Sequence, residues 1–170
     1  IINTLSFTGQ EQFTIFYHMR DLTTKNDGIT RSKERITKNG EVFTPKSLVE
    51  KMMDKIPEEK WKDPNSVWLE PTFGSGNMLI CMLERRIASG VEPVQAVKTL
   101  YGVELMQDNV DLCKDRIREV LRANKVKIDK KVNDIIDHNF VCSDFFKWDF
   151  ENWRSKEEAV ETNGLEEFLV

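Results

Sequence analysis

Histidine is nearly absent: His18 and His138 are the only two in 170 residues. They stand far apart, and no CxxC, HExxH or paired-histidine spacing occurs, so no metal site is expected. Cysteine is equally sparse. Cys81, Cys113 and Cys142 lie within separate apolar segments, a pattern that predicts three reduced core thiols in a cytoplasmic protein rather than a disulfide framework. No apolar run approaches the roughly 18 residues of a membrane span. The first residues, Ile1 to Thr8, have neither the basic flank nor the apolar length of a signal peptide. There is no initiator methionine, and the chain ends abruptly on Phe168-Leu169-Val170, so a processed, cloned or excised fragment is expected. A basic excess is missing too. The formal net charge is −4, whereas a self-sufficient nucleic-acid binder usually carries a basic face. That charge leaves room for a catalytic domain whose grip on DNA lies in another segment.

What is present suits one globular domain with a real core: 39% of residues are hydrophobic and 32% charged, with both signs mixed. No internal repeat or low-complexity stretch occurs. Phe13, Phe16, Tyr17 and Met19 fall close to helical spacing, which predicts a short amphipathic helix over 10–22 within a helical N-terminal segment, residues 1–40. The basic cluster of Arg31, Lys33, Arg35 and Lys38 reads as a solvated face. Thr44-Pro45 has the chemistry of a helix start, and Leu48, Val49, Met52, Met53 and Ile56 continue it as one apolar stripe toward Pro57.

From residue 66 the chain alternates. Strands are predicted at Ser66 to Leu69, Leu100 to Val103 and Phe140 to Cys142. Helices are predicted after Gly76, at Pro93 to Lys98, from about Asp108, and over 129–137. A fourth strand is expected at Leu165 to Val170. Strands separated by helices imply parallel pairing, hence an α/β, doubly wound domain over 41–170.

Three strand ends carry the chemistry. The first is Glu70-Pro71-Thr72-Phe73-Gly74-Ser75-Gly76-Asn77-Met78-Leu79, a strand-to-helix turn where a ligand can meet backbone N–H groups. Its glycines let the backbone approach a ligand closely. No Gly-Lys-Ser/Thr follows, which disfavours a triphosphate loop. A carboxylate at Glu70 would repel a pyrophosphate yet suit an ammonium or a sulfonium. The second is Glu104-Leu105, about thirty residues on, where the acid can accept from ribose hydroxyls and Leu105 can pack on an adenine face. The third is Ser143-Asp144-Phe145-Phe146. Asp144 can accept from an exocyclic amine, and Phe145 can offer an aromatic surface to the purine. Each alone reads as ordinary turn chemistry. Three in succession form one rim at the carboxyl edge of a sheet.

The order Gly40-Glu41-Val42-Phe43-Thr44-Pro45, then Glu70 to Leu79, Gly102 to Leu105 and Ser143 to Phe145 resembles the N6-adenine DNA methyltransferases of bacterial restriction–modification systems. The resemblance covers roughly residues 39–146 and implies a Rossmann-like methyltransferase fold, S-adenosylmethionine as cofactor and DNA as partner. It implies that Phe43 and Thr44, with the loop residues Glu70, Pro71, Gly74 and Gly76, hold the methionine end. Glu104 would take the ribose, and Asp144 and Phe145 the adenine. Glu70 and Phe73 stand where the family commonly has Asp and Cys. Such enzymes use an Asn/Asp-Pro-Pro-aromatic motif at the end of the fourth strand to hold the flipped-out base, and no such motif occurs in this sequence. The expectation is therefore a cofactor-binding part of a site-specific adenine methyltransferase, truncated, with an incomplete sheet and no catalytic residues of its own. Its DNA contacts would come from missing segments, and a homo-oligomer or a complementing chain would cover the open sheet. The alternative is a non-catalytic binding module of the same fold acting through a partner chain. An Asn-Pro-Pro-aromatic segment downstream in the reading frame would separate the two.

Overall fold

The computed structural model describes Thr44 and residues 46–156. The predicted helix over 10–22, the basic cluster, Phe43, the boundary at residue 40 and the strand expected at 165–170 lie outside those residues. Within them the elements run α1 (Lys46–Met53), α2 (Glu58–Lys62), β1 (Trp68–Glu70), α3 (Asn77–Ala88), α4 (Pro93–Lys98), β2 (Leu100–Glu104), α5 (Gln107–Ala123), α6 (Lys130–Asn139) and β3 (Phe140–Cys142). A 3-10 turn at Phe145–Lys147 follows, then the two-residue strands β4 (Trp148–Asp149) and β5 (Arg154–Ser155).

β1, β2 and β3 form a parallel sheet in that order, with Glu70 opposite Gly102 and Glu104 opposite Cys142. The central strand is hidden on both faces: Leu100, Gly102, Val103 and Glu104 are all buried. Helices do the covering, since α3 packs on α5, α4 packs on α6, and all four touch β2. Such two-sided cover is what a parallel sheet requires. The core gathers Leu79, Leu83, Leu100, Ile117, Ile136 and Phe140 at zero exposure. Fully burying one such side chain contributes roughly 1.5–3 kcal/mol.

Two buried polar side chains close the end of the sheet away from the glycine-rich loop. Arg86 Nη1 donates to Ala96 O at 2.9 Å and Thr99 Oγ1 at 2.6 Å, while its Nη2 reaches Asp63 O at 3.1 Å. Asn139 Nδ2 donates to Val97 O and Leu100 O at 2.9 and 3.1 Å. Carbonyls that the end of α4 leaves unpaired thus acquire donors.

Several boundaries differ from the sequence expectation, each for a local reason. β1 begins at Trp68, not Ser66, because the Ser66 hydroxyl and amide both bond back to Asp63, at 2.9 and 3.3 Å, and hold a turn. The first helix stops at Met53, since the amides of Lys55 and Ile56 reach back only three residues, to Met52 O and Met53 O, both at 3.1 Å. Pro57 is not its stop but the residue that opens α2, a helix the pattern did not predict. No element was predicted for β4 and β5 either. The pair is held by rings: Trp153 lies 4.7 Å from Tyr101 and 5.4 Å from Trp148, centroid to centroid, and its Nε1 donates to His138 O at 2.6 Å.

The expectation of three core thiols needs correction. All three are free, but only Cys113 is fully buried; Cys81 is half-buried and Cys142 is exposed. The apolar neighbours of Cys142 mark the end of a strand, where the side chain can leave the core. Burial pushes the Cys113 thiol up to about 12, so it stays protonated at neutral pH.

Gly76 lies where α3 meets α5. Its φ of 88° is left-handed, and a Cβ there would overlap Cys113 Sγ. Gly76→Ala is expected to destabilise the fold by about 2 kcal/mol or more, from overpacking and the strained φ together. Urea unfolding should show Cys113→Ala returning part of that loss in the double variant. A Gly76→Ala protein as stable as the parent would refute the close packing.

Candidate cofactor site at the carboxyl edge of the sheet

Parallel pairing brings the ends of β1, β2 and β3 to one edge, the usual place for a ligand in an open α/β sheet. Glu70, Glu104 and the turn beginning at Asp144 therefore share a rim. Between β1 and α3 the chain reverses through Gly74 (φ 53°) and Gly76 (φ 88°), closed by the Gly76 amide donating to Phe73 O at 2.8 Å. Phe73 points inward at 5% exposure, packing its ring against Gly102 and edge-on to Phe140 at 6.3 Å. Gly102 has no room for a Cβ, which would come within 2.5 Å of that ring. The large residue at position 73 and the missing side chain at 102 are one packing solution.

The two loop carboxylates differ in what satisfies them. Glu104 is 8% exposed and already engaged: Oε2 accepts the Gly74 amide at 2.8 Å, and Oε1 accepts the Met106 amide at 3.0 Å and Asn109 Nδ2 at 3.4 Å. It thus ties the loop after β1 to the loop after β2. A carboxylate has about four acceptor sites, so one remains for a ligand hydroxyl. Glu70 has the Thr72 amide and no cation beside it among the described residues, and burial pushes its carboxyl above the usual range. A charge held in this way favours a positively charged ligand or a proton.

The remaining expected residues fall around the same rim. Pro71 is half-buried in the loop, and Leu105 is 57% exposed just past Glu104. Asp144 opens the 3-10 turn, where its Oδ1 accepts the Phe146 amide at 2.9 Å and its Oδ2 accepts nothing from the described residues. Phe145 is half-buried, its ring 5.3 Å from Phe146 and 4.9 Å from Phe150. The rim is also stitched along the sheet, through Ser143 N to Glu104 O at 2.9 Å and Cys142 Sγ to Leu105 O at 3.4 Å. Thr44 belongs to this group as well: Asn77 Nδ2 reaches its carbonyl at 3.5 Å.

Sequence reasoning did not single out Asn77, Asn109 and Arg116, whose side chains bond to the rim and its loop. Asn109 is fully buried beneath Glu104, and Arg116 at 4% exposure donates to Ser75 O and Asn77 Oδ1 at 2.6 and 2.9 Å. A signal existed. Asn109, Cys113, Arg116 and Val120 recur at helical spacing, so two polar residues stand on the buried face of α5.

Replacing Glu104 by alanine strips the acceptor from two backbone amides and one side-chain amide. The expected loss is about 2 kcal/mol of stability, read by chemical denaturation, with faster hydrogen exchange at the amides of Gly74 and Met106. Unchanged exchange at Gly74 would show that the carboxylate does not hold the loop.

None of the described helices is long and apolar enough to cross a membrane, and no group of three metal-ligating side chains occurs among the described residues. Comparison with curated proteins and with solved structures returned no match. A family model described as N-6 DNA methylase matches residues 30–162, spanning the whole rim from Thr44 to Phe145. With more than three quarters of its length inside that match, the chain belongs to the N-6 DNA methylase family.

Proposed function

We propose that this rim binds S-adenosylmethionine and that the chain is the cofactor-binding part of a cytoplasmic DNA adenine N6-methyltransferase of a restriction–modification system. In this reading the three-stranded sheet is the first half of a Rossmann-like methyltransferase fold. The observation that carries it is Glu70. Its carboxyl is pushed up by burial, it has no cation beside it among the described residues, and it stands at the mouth of a glycine-rich loop. A ligand with an ammonium and a sulfonium would supply that charge. The rest of the donor set fits the same molecule. Glu104 keeps one acceptor site for a ribose hydroxyl, Asp144 Oδ2 is open to an exocyclic amine, and Leu105 and Phe145 offer apolar surface to a purine. Thr44, whose carbonyl meets Asn77 beside the loop, would contact the methionine end, a role the family resemblance gives to Phe43 as well.

When bound, the cofactor supplies an activated methyl group for direct displacement by an amine nitrogen. The described residues bind and orient it: the loop holds one end while Glu104 and Asp144 fix the nucleoside, so proximity and alignment are the contribution of this chain. The sequence has no Asn/Asp-Pro-Pro-aromatic motif to accept the amine hydrogens and stack on the base. We therefore read the chain as binding cofactor without transferring methyl groups by itself. DNA would be engaged through other segments or a complementing chain.

Calorimetric titration with S-adenosylmethionine tests this reading. The parent chain should bind saturably, and Asp144→Ala should bind about tenfold more weakly or worse, the loss expected for one hydrogen bond to a charged group. No binding by the folded parent would remove the proposal. Glu70→Gln gives a second, independent reading. Because the folded-state pKa of Glu70 is raised, its contribution to stability is present below the ordinary carboxylate pKa and lost as pH rises through the folded value. The glutamine variant should thus be more stable than the parent at pH 7 without ligand, equal to it at pH 3.5, and weaker in cofactor binding. A variant less stable than the parent at pH 7 would show that Glu70 is a structural acid.

A further inference from the structure

We propose that Arg116 is a positioning residue that holds Thr44 against the glycine-rich loop, acting through the amide of Asn77. The inference rests on the reading of the loop as the methionine-end subsite. Arg116 projects from the buried face of α5, and its Nη1 donates to Ser75 O at 2.6 Å and to Asn77 Oδ1 at 2.9 Å. A guanidinium only donates. It therefore fixes which way the Asn77 amide faces: the oxygen must turn toward Arg116, and the NH2 is left pointing away. In that direction lies the carbonyl of Thr44, 3.5 Å from Nδ2.

Asn77 is the first residue of α3, so its backbone position is set by the turn at Gly76. The side chain can choose only its amide orientation, and Arg116 chooses it. Three stretches remote in sequence are joined: Thr44, two residues ahead of α1, the start of α3 and the middle of α5. None of these bonds touches the ends of β2 and β3, where the nucleoside is placed. Their effect should fall on one end of the ligand alone.

Arg116 is too deeply buried for its removal to be a clean test, so the probe is Asn77→Asp. The aspartate still accepts from Arg116 and so keeps the buried guanidinium paired. It cannot donate to the Thr44 carbonyl and repels it. Two ligands are titrated into the full chain by calorimetry: S-adenosylmethionine, and 5′-methylthioadenosine, which keeps the nucleoside and sulfur but lacks the amino-acid end. Asn77→Asp should weaken S-adenosylmethionine about tenfold, a difference of about 1.4 kcal/mol, and leave methylthioadenosine within about twofold, with no loss of thermal stability. Equal weakening of both ligands, or none of either, would overturn the positioning role while leaving the cofactor site intact. A parent chain that binds neither ligand would overturn the site assignment and this inference with it.

Discussion

The Glu104 carboxylate is the interaction on which the candidate site is organised. A parallel sheet delivers strand ends to one edge, but it does not fix the loops that leave them. Glu104 does so by accepting from the loop after β1 with one oxygen and from the loop after β2 with the other. Buried charge is costly unless it is met by hydrogen bonds, and here backbone amides meet it. The carboxylate is both a structural staple and, in the proposed function, a ligand acceptor. The two roles are compatible because backbone amides leave part of its accepting capacity unused.

Glu70 presents the opposite electrostatic design only 34 residues earlier. Burial raises its pKa and one amide opposes that rise, with no cation contributing among the described residues. A group in this condition makes the ligand-free fold less stable at neutral pH than a neutral isostere would. Functional sites commonly hold such uncompensated groups. The membership of the chain in the N-6 DNA methylase family gives that buried carboxylate, which no described residue meets with a cation, a chemical context, and the proposed sulfonium ligand gives it a partner.

Much of the layout was legible from periodicity and turn chemistry. The strands at Leu100 and Phe140, and the helices after Gly76, at Pro93 and near Asp108, lie within a residue or two of where the pattern put them. Apolar residues there meet a single demand, burial in one layered core. What escaped were features set by particular side chains. Asp63 captures Ser66 and delays β1; turn bonds after Met52 and Met53 end α1; rings around Trp153 fold a pair of strands that alternation could not announce. At the site, acids at strand ends were readable because their position follows from topology. Arg116 and Asn109 were readable as polar residues on a buried helical face, but what they hold was not, since their partners lie 39 and 5 residues away and meet them only once the helix is docked.

The close approaches at Gly76 and Gly102 bear on how this sequence can drift. Position 76 faces Cys113, and position 102 faces Phe73, with no space for an added methyl at either contact. Sites 37 and 29 residues apart in the chain are thereby bound into pairs. A relative with a side chain at 102 would need a smaller residue at 73, and one with a bulkier residue at 113 would need α5 to shift away from the loop. The pairs 76–113 and 73–102 should therefore change together across lineages, leaving a correlated record of the loop's packing.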